Sequence, residues 1–245
     1  MEQIIKVSKD IYEMAQDLAV DLVQTIDMVR SEGRKATVAL SGGNTPRHFF
    51  SVLGNKYRDF KGWHDTLFFW SDERCVPPGS KESNYGTVRE AFFDKADIPS
   101  ENIHRIMGEA DPELETGRYS SEILENVALR NGIPRFDIIY LGLGNDGHTA
   151  SIFPGNLHLF NSSHICEVAV HPATGQKRIT LTGPVINNAS RVILAVAGRD
   201  KAEIVAEILE NQTLRIFPAS FVKPSSGRLF WHLDLDAASL LTQFA

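Results

Sequence analysis

The sequence predicts an α/β fold, a doubly wound, mostly parallel sheet with helices on both faces. Three observations lead there. Short, continuous apolar runs alternate with segments of helical periodicity along most of the chain. Several of those runs end in glycine-rich or polar turns that open a helical pattern, as parallel βαβ units do. With 245 residues, 42% hydrophobic and 23% charged, the chain has the composition of a globular protein. No repeat, low-complexity tract or long linker divides it, so residues 1–245 are expected to form a single domain.

The elements follow in order. Ile11, Met14, Ala15, Leu18, Leu22, Ile26 and Val29 recur at helical spacing, predicting a helix over Ser8 to Glu32 that Gly33 ends. Ala36 to Leu40 reads as a buried strand, and Thr45 with Pro46 suits the N-cap and first position of a helix. Thr66 to Trp70 is a second strand, Ser83 to Phe93 a helix, Asn102 to Ile106 a short strand, and Asp111 to Arg130 a helix. Phe136 to Leu141, His164 to Val170, Arg178 to Thr182 and Arg191 to Ala197 read as strands. A helix over Lys201 to Leu209, a strand over Arg228 to Leu233 and a helix over Asp236 to Leu241 complete the pattern. A small subdomain is expected around residues 155–182.

Charge and composition exclude several classes of function. Lys and Arg number 25 against 31 Asp and Glu, a net charge of −6, and no basic stripe suited to a nucleic-acid backbone appears. The longest aliphatic run, Val192 to Ala197, is far short of the roughly 18–20 residues that span a bilayer. The opening MEQIIKVSKD lacks the apolar core of a secretory signal, and Cys75 and Cys166 are too few for a disulfide framework. A cytoplasmic protein that binds neither nucleic acid nor membrane is expected. The oligomeric state stays open, with the balance towards a monomer.

In an open α/β sheet, ligands bind outside the carboxyl ends of the strands. Four segments belong there: Ser41–Thr45, Asp72–Arg74, Gly142–Thr149 and Gly198–Lys201. The first combines backbone N–H groups unobstructed at Gly42 and Gly43 with a helix N-terminus, which suits a phosphate. Alone, it equally fits a tight turn that binds nothing. Gly142-Leu-Gly144-Asn-Asp-Gly147 has the literal spacing of a dinucleotide fingerprint, but Pro154 interrupts the long helix that the fingerprint should open. Asp146 beside His148 is the arrangement a general base needs, although a surface histidine would look the same. Arg74 can hold an oxyanion and Asp72 can orient hydroxyls or tune His148, and a salt-bridged loop is the plainer alternative. No P-loop, zinc-ligand spacing or nucleophile elbow occurs, so the sequence offers little for ATP or GTP binding, zinc chemistry or a serine nucleophile.

Six segments appear together: Leu40-Ser-Gly-Gly-Asn-Thr-Pro46; Ser71-Asp-Glu-Arg-Cys-Val-Pro77 with Ser83-Asn-Tyr85; Gly142-Leu-Gly-Asn-Asp-Gly-His-Thr-Ala-Ser-Ile-Phe-Pro154; Arg178-Ile-Thr-Leu-Thr182; Gly198-Arg-Asp-Lys-Ala202; and Trp231-His-Leu-Asp234 before Ala237-Ala238. In this order they closely resemble the 6-phosphogluconolactonase family. The resemblance implies hydrolysis of 6-phospho-D-glucono-1,5-lactone in the oxidative pentose phosphate pathway. It implies the fold shared with glucosamine-6-phosphate deaminase and ribose-5-phosphate isomerase, working without metal or organic cofactor. It also implies His148 as general base, Asp72 and Arg74 at the reacting end, and Gly42, Gly43, Asn44, Thr45, Arg178 and Lys201 around the phosphate. Asn44 and Asn145 stand where the family commonly has serine and proline. An amino-sugar-phosphate deaminase or isomerase is the nearest rival, but the deaminase pattern continues past the histidine to a further carboxylate, which Thr149 to Pro154 lacks. A sugar-phosphate sensor would carry a helix-turn-helix, and residues 1–35 offer only one helix.

Overall fold

The computed structural model describes residues 2–211 and 216–242, with only the backbone described for Glu2 and Asn44. Six strands form a wholly parallel sheet: β1 (Glu2–Ser8), β2 (Ala36–Leu40), β3 (Thr66–Trp70), β7 (Ile138–Leu141), β10 (Arg191–Val196) and β11 (Arg228–Asp234). Their order across the sheet is β1-β11-β10-β7-β2-β3. Every residue of β2, β3 and β7 is buried, because helices cover both faces. Those helices are α1 (Ile11–Ser31), α2 (Asn44–Lys56), α3 (Asn84–Ala91), α4 (Pro112–Asn126), α5 (Gly183–Asn188) and α6 (Ala202–Glu210). The doubly wound parallel reading of the sequence therefore describes this sheet.

A second, three-stranded antiparallel sheet lies in the order β4-β9-β8, from β4 (Asp72–Arg74), β8 (Cys166–Val170) and β9 (Lys177–Leu181). It occupies most of the stretch expected to form a subdomain, and it recruits Asp72–Arg74 from far upstream. Those three residues read as a loop in the sequence. They form a strand because Thr180, Ile179 and Arg178 offer them a ladder. Ile179 and Leu181 join the same hydrophobic core as the main sheet.

Other expectations are corrected. Residues 2–8 are a strand parallel to β11, and α1 begins later than Ser8, because the Asp10 side chain caps it by accepting from Tyr12 and Glu13 N–H. Thr45 is not an N-cap. Gly43 takes that position at φ +109°, and Thr45 lies inside the first turn. Asn102–Ile106 contributes one bridge, Ile103 to Phe68, while the Asn102 amide serves the carbonyls of Trp63 and His64. The helix expected to reach Arg130 stops at Asn126. A hairpin of β5 (Leu129–Arg130) and β6 (Ile133–Pro134) follows, turned by Asn131 and Gly132 at positive φ. Residues 236–241 form successive turns instead of a helix. Among the described residues no helix is long and apolar enough to cross a membrane.

Candidate active site

Four adjacent strands, β10-β7-β2-β3, carry the four segments singled out in the sequence at their carboxyl ends. Because the strands are parallel, those segments emerge on one edge, and the chain reverses its winding between β2 and β7. A cavity of about 380 Å3 opens there. Gly42, Gly43, Thr45, Asp72, Arg74, His148, Arg178 and Lys201 all line it. The Asn44 side chain lies outside the described residues.

His148 is held by its neighbour in sequence. The Asp146 carboxylate lies 2.5 Å from His148 Nδ1 and accepts the His148 backbone N–H at 3.1 Å through the same oxygen. Burial pushes the Asp146 carboxyl up, but its two bonds and the charge of His148 outweigh that and hold it below the usual carboxylate range. With Nδ1 engaged, Nε2 is the nitrogen left for a ligand. Gly144 makes this possible, since a Cβ there would lie 2.1 Å from the imidazole. Two of the fingerprint's glycine N–H groups are spent internally, Gly144 on His148 O and Gly147 on Gly144 O.

Asp72 is buried and does not touch His148 by hydrogen bond. Its Oδ2 accepts from Ser151 Oγ at 2.6 Å, and Asn84 Nδ2 donates to its backbone oxygen at 2.9 Å. Next to it, the buried Glu73 carboxylate accepts four bonds, from Arg74 N, Asn84 N, Tyr85 N and Ser83 Oγ, at 2.8–3.0 Å. Burial raises the Glu73 pKa and those donors pull it back. Glu73 thus ties the start of α3 to β4. Asn84 then reaches the cavity wall, so close to Gly42 that a Cβ at 42 would lie 1.7 Å from its Oδ1.

Three cations converge. Arg74 and Arg178 are direct partners across the β4–β9 ladder, so the two arginines assigned to opposite ends of the substrate are neighbours. Arg74 Nη1 donates to Glu82 O, and neither Nε meets a partner among the described residues. Burial lowers the Arg178 pKa, with Asp72 opposing and Arg74 reinforcing that effect. Lys201 Nζ donates to Asn145 Oδ1 and lies 3.7 Å from Asp200. The α2 N-terminus faces the same space, with no side chain capping its first turn and no acidic residue in it. Helix α6 likewise begins uncapped, directly after Lys201.

Sequence reasoning found the cavity's charged groups and missed what holds them. Asn84 was visible in Ser83-Asn-Tyr85, and Ser151 and Phe153 in Thr149 to Pro154, but without roles. Burial pushes the Cys75 thiol up to about 11, which disfavours its thiolate form. Among the described residues no group of three or more His, Cys, Asp or Glu side chains is arranged to hold a metal.

The family described as glucosamine-6-phosphate isomerases/6-phosphogluconolactonase matches residues 9–231. A 6-phosphogluconolactonase of Treponema pallidum is 42% identical over 203 residues, which cover 83% of this chain and 84% of that protein. Among solved structures, one titled as devB protein is 36% identical with a TM-score of 0.92, covering 98% of this chain and all of that one. The 6-phosphogluconolactonase of Trypanosoma brucei is 27% identical with a TM-score of 0.89, covering 98% of this chain and 99% of its own.

Proposed function

This chain belongs to the glucosamine-6-phosphate isomerase/6-phosphogluconolactonase family, and we propose that its activity is lactone hydrolysis. The substrate is 6-phospho-D-glucono-1,5-lactone and the product 6-phosphogluconate, within the oxidative pentose phosphate pathway. One observation carries this reading: a His148 imidazole held on Asp146 shares a cavity with two guanidiniums that meet no carboxylate among the described residues.

The chemistry follows from those groups. His148 Nε2 takes a proton from a water molecule as its oxygen adds to the lactone carbonyl carbon. Arg74 stabilises the charge that develops on the carbonyl oxygen. When the tetrahedral intermediate collapses, the bond from that carbon to the ring oxygen breaks, and the imidazolium returns its proton to the leaving oxygen. Asp146 keeps the ring in the tautomer with Nδ1 protonated and favours the imidazolium. Asp72, fixed by Ser151 and Asn84, is a rigid acceptor for a sugar hydroxyl. The Gly42–Thr45 turn, Arg178 and Lys201 receive the phosphate, aided by the free N–H groups of the first turn of α2. A lactone is an activated ester, so modest factors suffice: about 10²–10⁴-fold from the base and about 10²–10³-fold from an oxyanion donor.

The test uses lactone generated freshly by glucose-6-phosphate dehydrogenase. Its decay is followed with and without the protein, and acceleration over the spontaneous rate is expected. A rate equal to the blank rejects the reading.

A further inference from the structure

Phe153 carries no reactive group, yet three functional or titratable side chains meet on its ring. The His148 imidazole packs against it with centroids 4.8 Å apart. The Arg178 guanidinium lies over the ring, 5.6 Å from the centroid. His171 meets it edge-on at 5.1 Å. The ring is 1% exposed, so these contacts are made away from water.

The backbone around Phe153 is fixed on both sides. Ile152 N donates to Thr149 O at 2.9 Å, and Thr149 and Ile152 form a bridge. Pro154 follows, which confines Phe153 to the extended conformation observed, φ −89° and ψ 163°. Between these points Ser151 holds Asp72 through its hydroxyl, and its N–H donates to Thr180 on β9. The short run from His148 to Phe153 therefore sets the base, the buried carboxylate and the aromatic ring together.

Arg178 needs that ring more than most arginines would. It meets no carboxylate among the described residues, Arg74 lies directly opposite, and its Nε has no partner. A desolvated cation with no carboxylate in contact is held in place by the electron-rich surface it touches, and the face of Phe153 is such a surface. The same ring confines the imidazole to its line from Asp146.

We propose that Phe153 is a positioning residue for the reaction, registering the base His148 and the substrate-binding cation Arg178 against one another through a single ring. This inference rests on the lactonase reading above. It assigns Phe153 no contact with substrate. Its effect on binding passes through Arg178, and its effect on turnover passes through His148.

A double-mutant cycle with Phe153→Leu and Arg178→Ala tests it, with Phe153→Met as the second volume-keeping variant should the leucine protein not fold. Removing the aromatic face while keeping bulk should raise KM for the phosphorylated lactone about five- to thirty-fold, the span of a desolvated cation–ring contact. Turnover should fall about ten-fold or more, since a small misplacement of a base is costly. Phe153→Tyr, which keeps the ring face, should restore both. In the cycle, Arg178→Ala should leave Phe153→Leu nothing further to do to KM, because the two act as one unit. Inorganic phosphate binding by calorimetry gives a readout independent of activity, and should weaken by the same about five- to thirty-fold factor in Phe153→Leu. Wild-type constants in folded Phe153→Leu, or KM effects that simply multiply in the double variant, overturn the proposal. If the wild type fails to accelerate lactone decay, the lactonase reading fails instead, and the phosphate measurement still decides whether the ring acts through Arg178.

Discussion

Arg74 and Arg178 face each other across the β4–β9 ladder, and neither guanidinium meets a carboxylate among the described residues. Like charges placed directly opposite are destabilising by about 0.2–1 kcal/mol. Arg178→Leu should therefore raise the melting temperature slightly, by about 1–3 °C, while raising KM for the phosphorylated lactone roughly ten- to a hundred-fold. Calorimetric melting alongside steady-state kinetics checks both signs at once. A variant that binds substrate normally removes Arg178 from the site.

His148→Ala should lower kcat by about 10²–10⁴-fold with the fold intact, since only a proton transfer in the transition state is lost. Asp146→Asn should reduce kcat as well, because an amide can present either a donor or an acceptor to Nδ1 and no longer favours the imidazolium. Circular dichroism and single-turnover rates make the comparison. Near-normal turnover in folded His148→Ala protein is the result that removes the base from this position.

Lys201→Ala should mainly raise KM, because a phosphate remote from the reacting carbon is bound alike in the ground and transition states. Loss of one charge-assisted hydrogen bond corresponds to about 1.5–3 kcal/mol, roughly ten- to a hundred-fold. Unphosphorylated glucono-1,5-lactone should be a poor substrate that is indifferent to the change. If kcat/KM falls equally for both lactones, Lys201 does not read the phosphate.

His232 sits fully buried in β11, opposite Lys6 and Ala195, with no partner for either ring nitrogen among the described residues. Burial, then the charges of Lys6 and Arg191, push its pKa down to about 3 from 6.5. Between those values the unfolded chain binds a proton that the folded chain refuses, so stability falls as pH falls through that window. The slope from this residue is at most about 1.4 kcal/mol per pH unit. His232→Met should flatten the acid limb of a urea-denaturation series run from about pH 7 to about pH 4. An unchanged limb means that other groups set it.

How much was legible in the sequence depended on where each residue's partners lie. Strands β2 and β3 match their expected bounds because each is a continuous apolar run buried on both faces. The Asp146–His148 pair was visible because its partners are neighbours in the chain. Strand β4 was not, since Asp72, Glu73 and Arg74 are all polar and become a strand only by meeting β9. Strand β1 was hidden by the strong helical period that follows it. Asn84 and Ser151 hold Asp72 from distant segments, and no local pattern marks such contacts. The Asn131-Gly132 turn was a readable signal that the helical pattern before it obscured.

The contact between Asn84 and Gly42 limits how this chain can change over generations. A methyl group at 42 would collide with Asn84 Oδ1 at 1.7 Å, so the glycine cannot be replaced while Asn84 stays. Shortening Asn84 would clear the space, but the same amide steadies Asp72 through its backbone oxygen. Drift at position 42 is therefore barred by position 72, with Asn84 as the intermediary. The double replacement that admits the methyl gives up the Asn84 bond to the Asp72 backbone and leaves the carboxylate on Ser151 alone. A glycine that looks like an adaptation for an anion is thus also kept in place by the amide that steadies the Asp72 backbone.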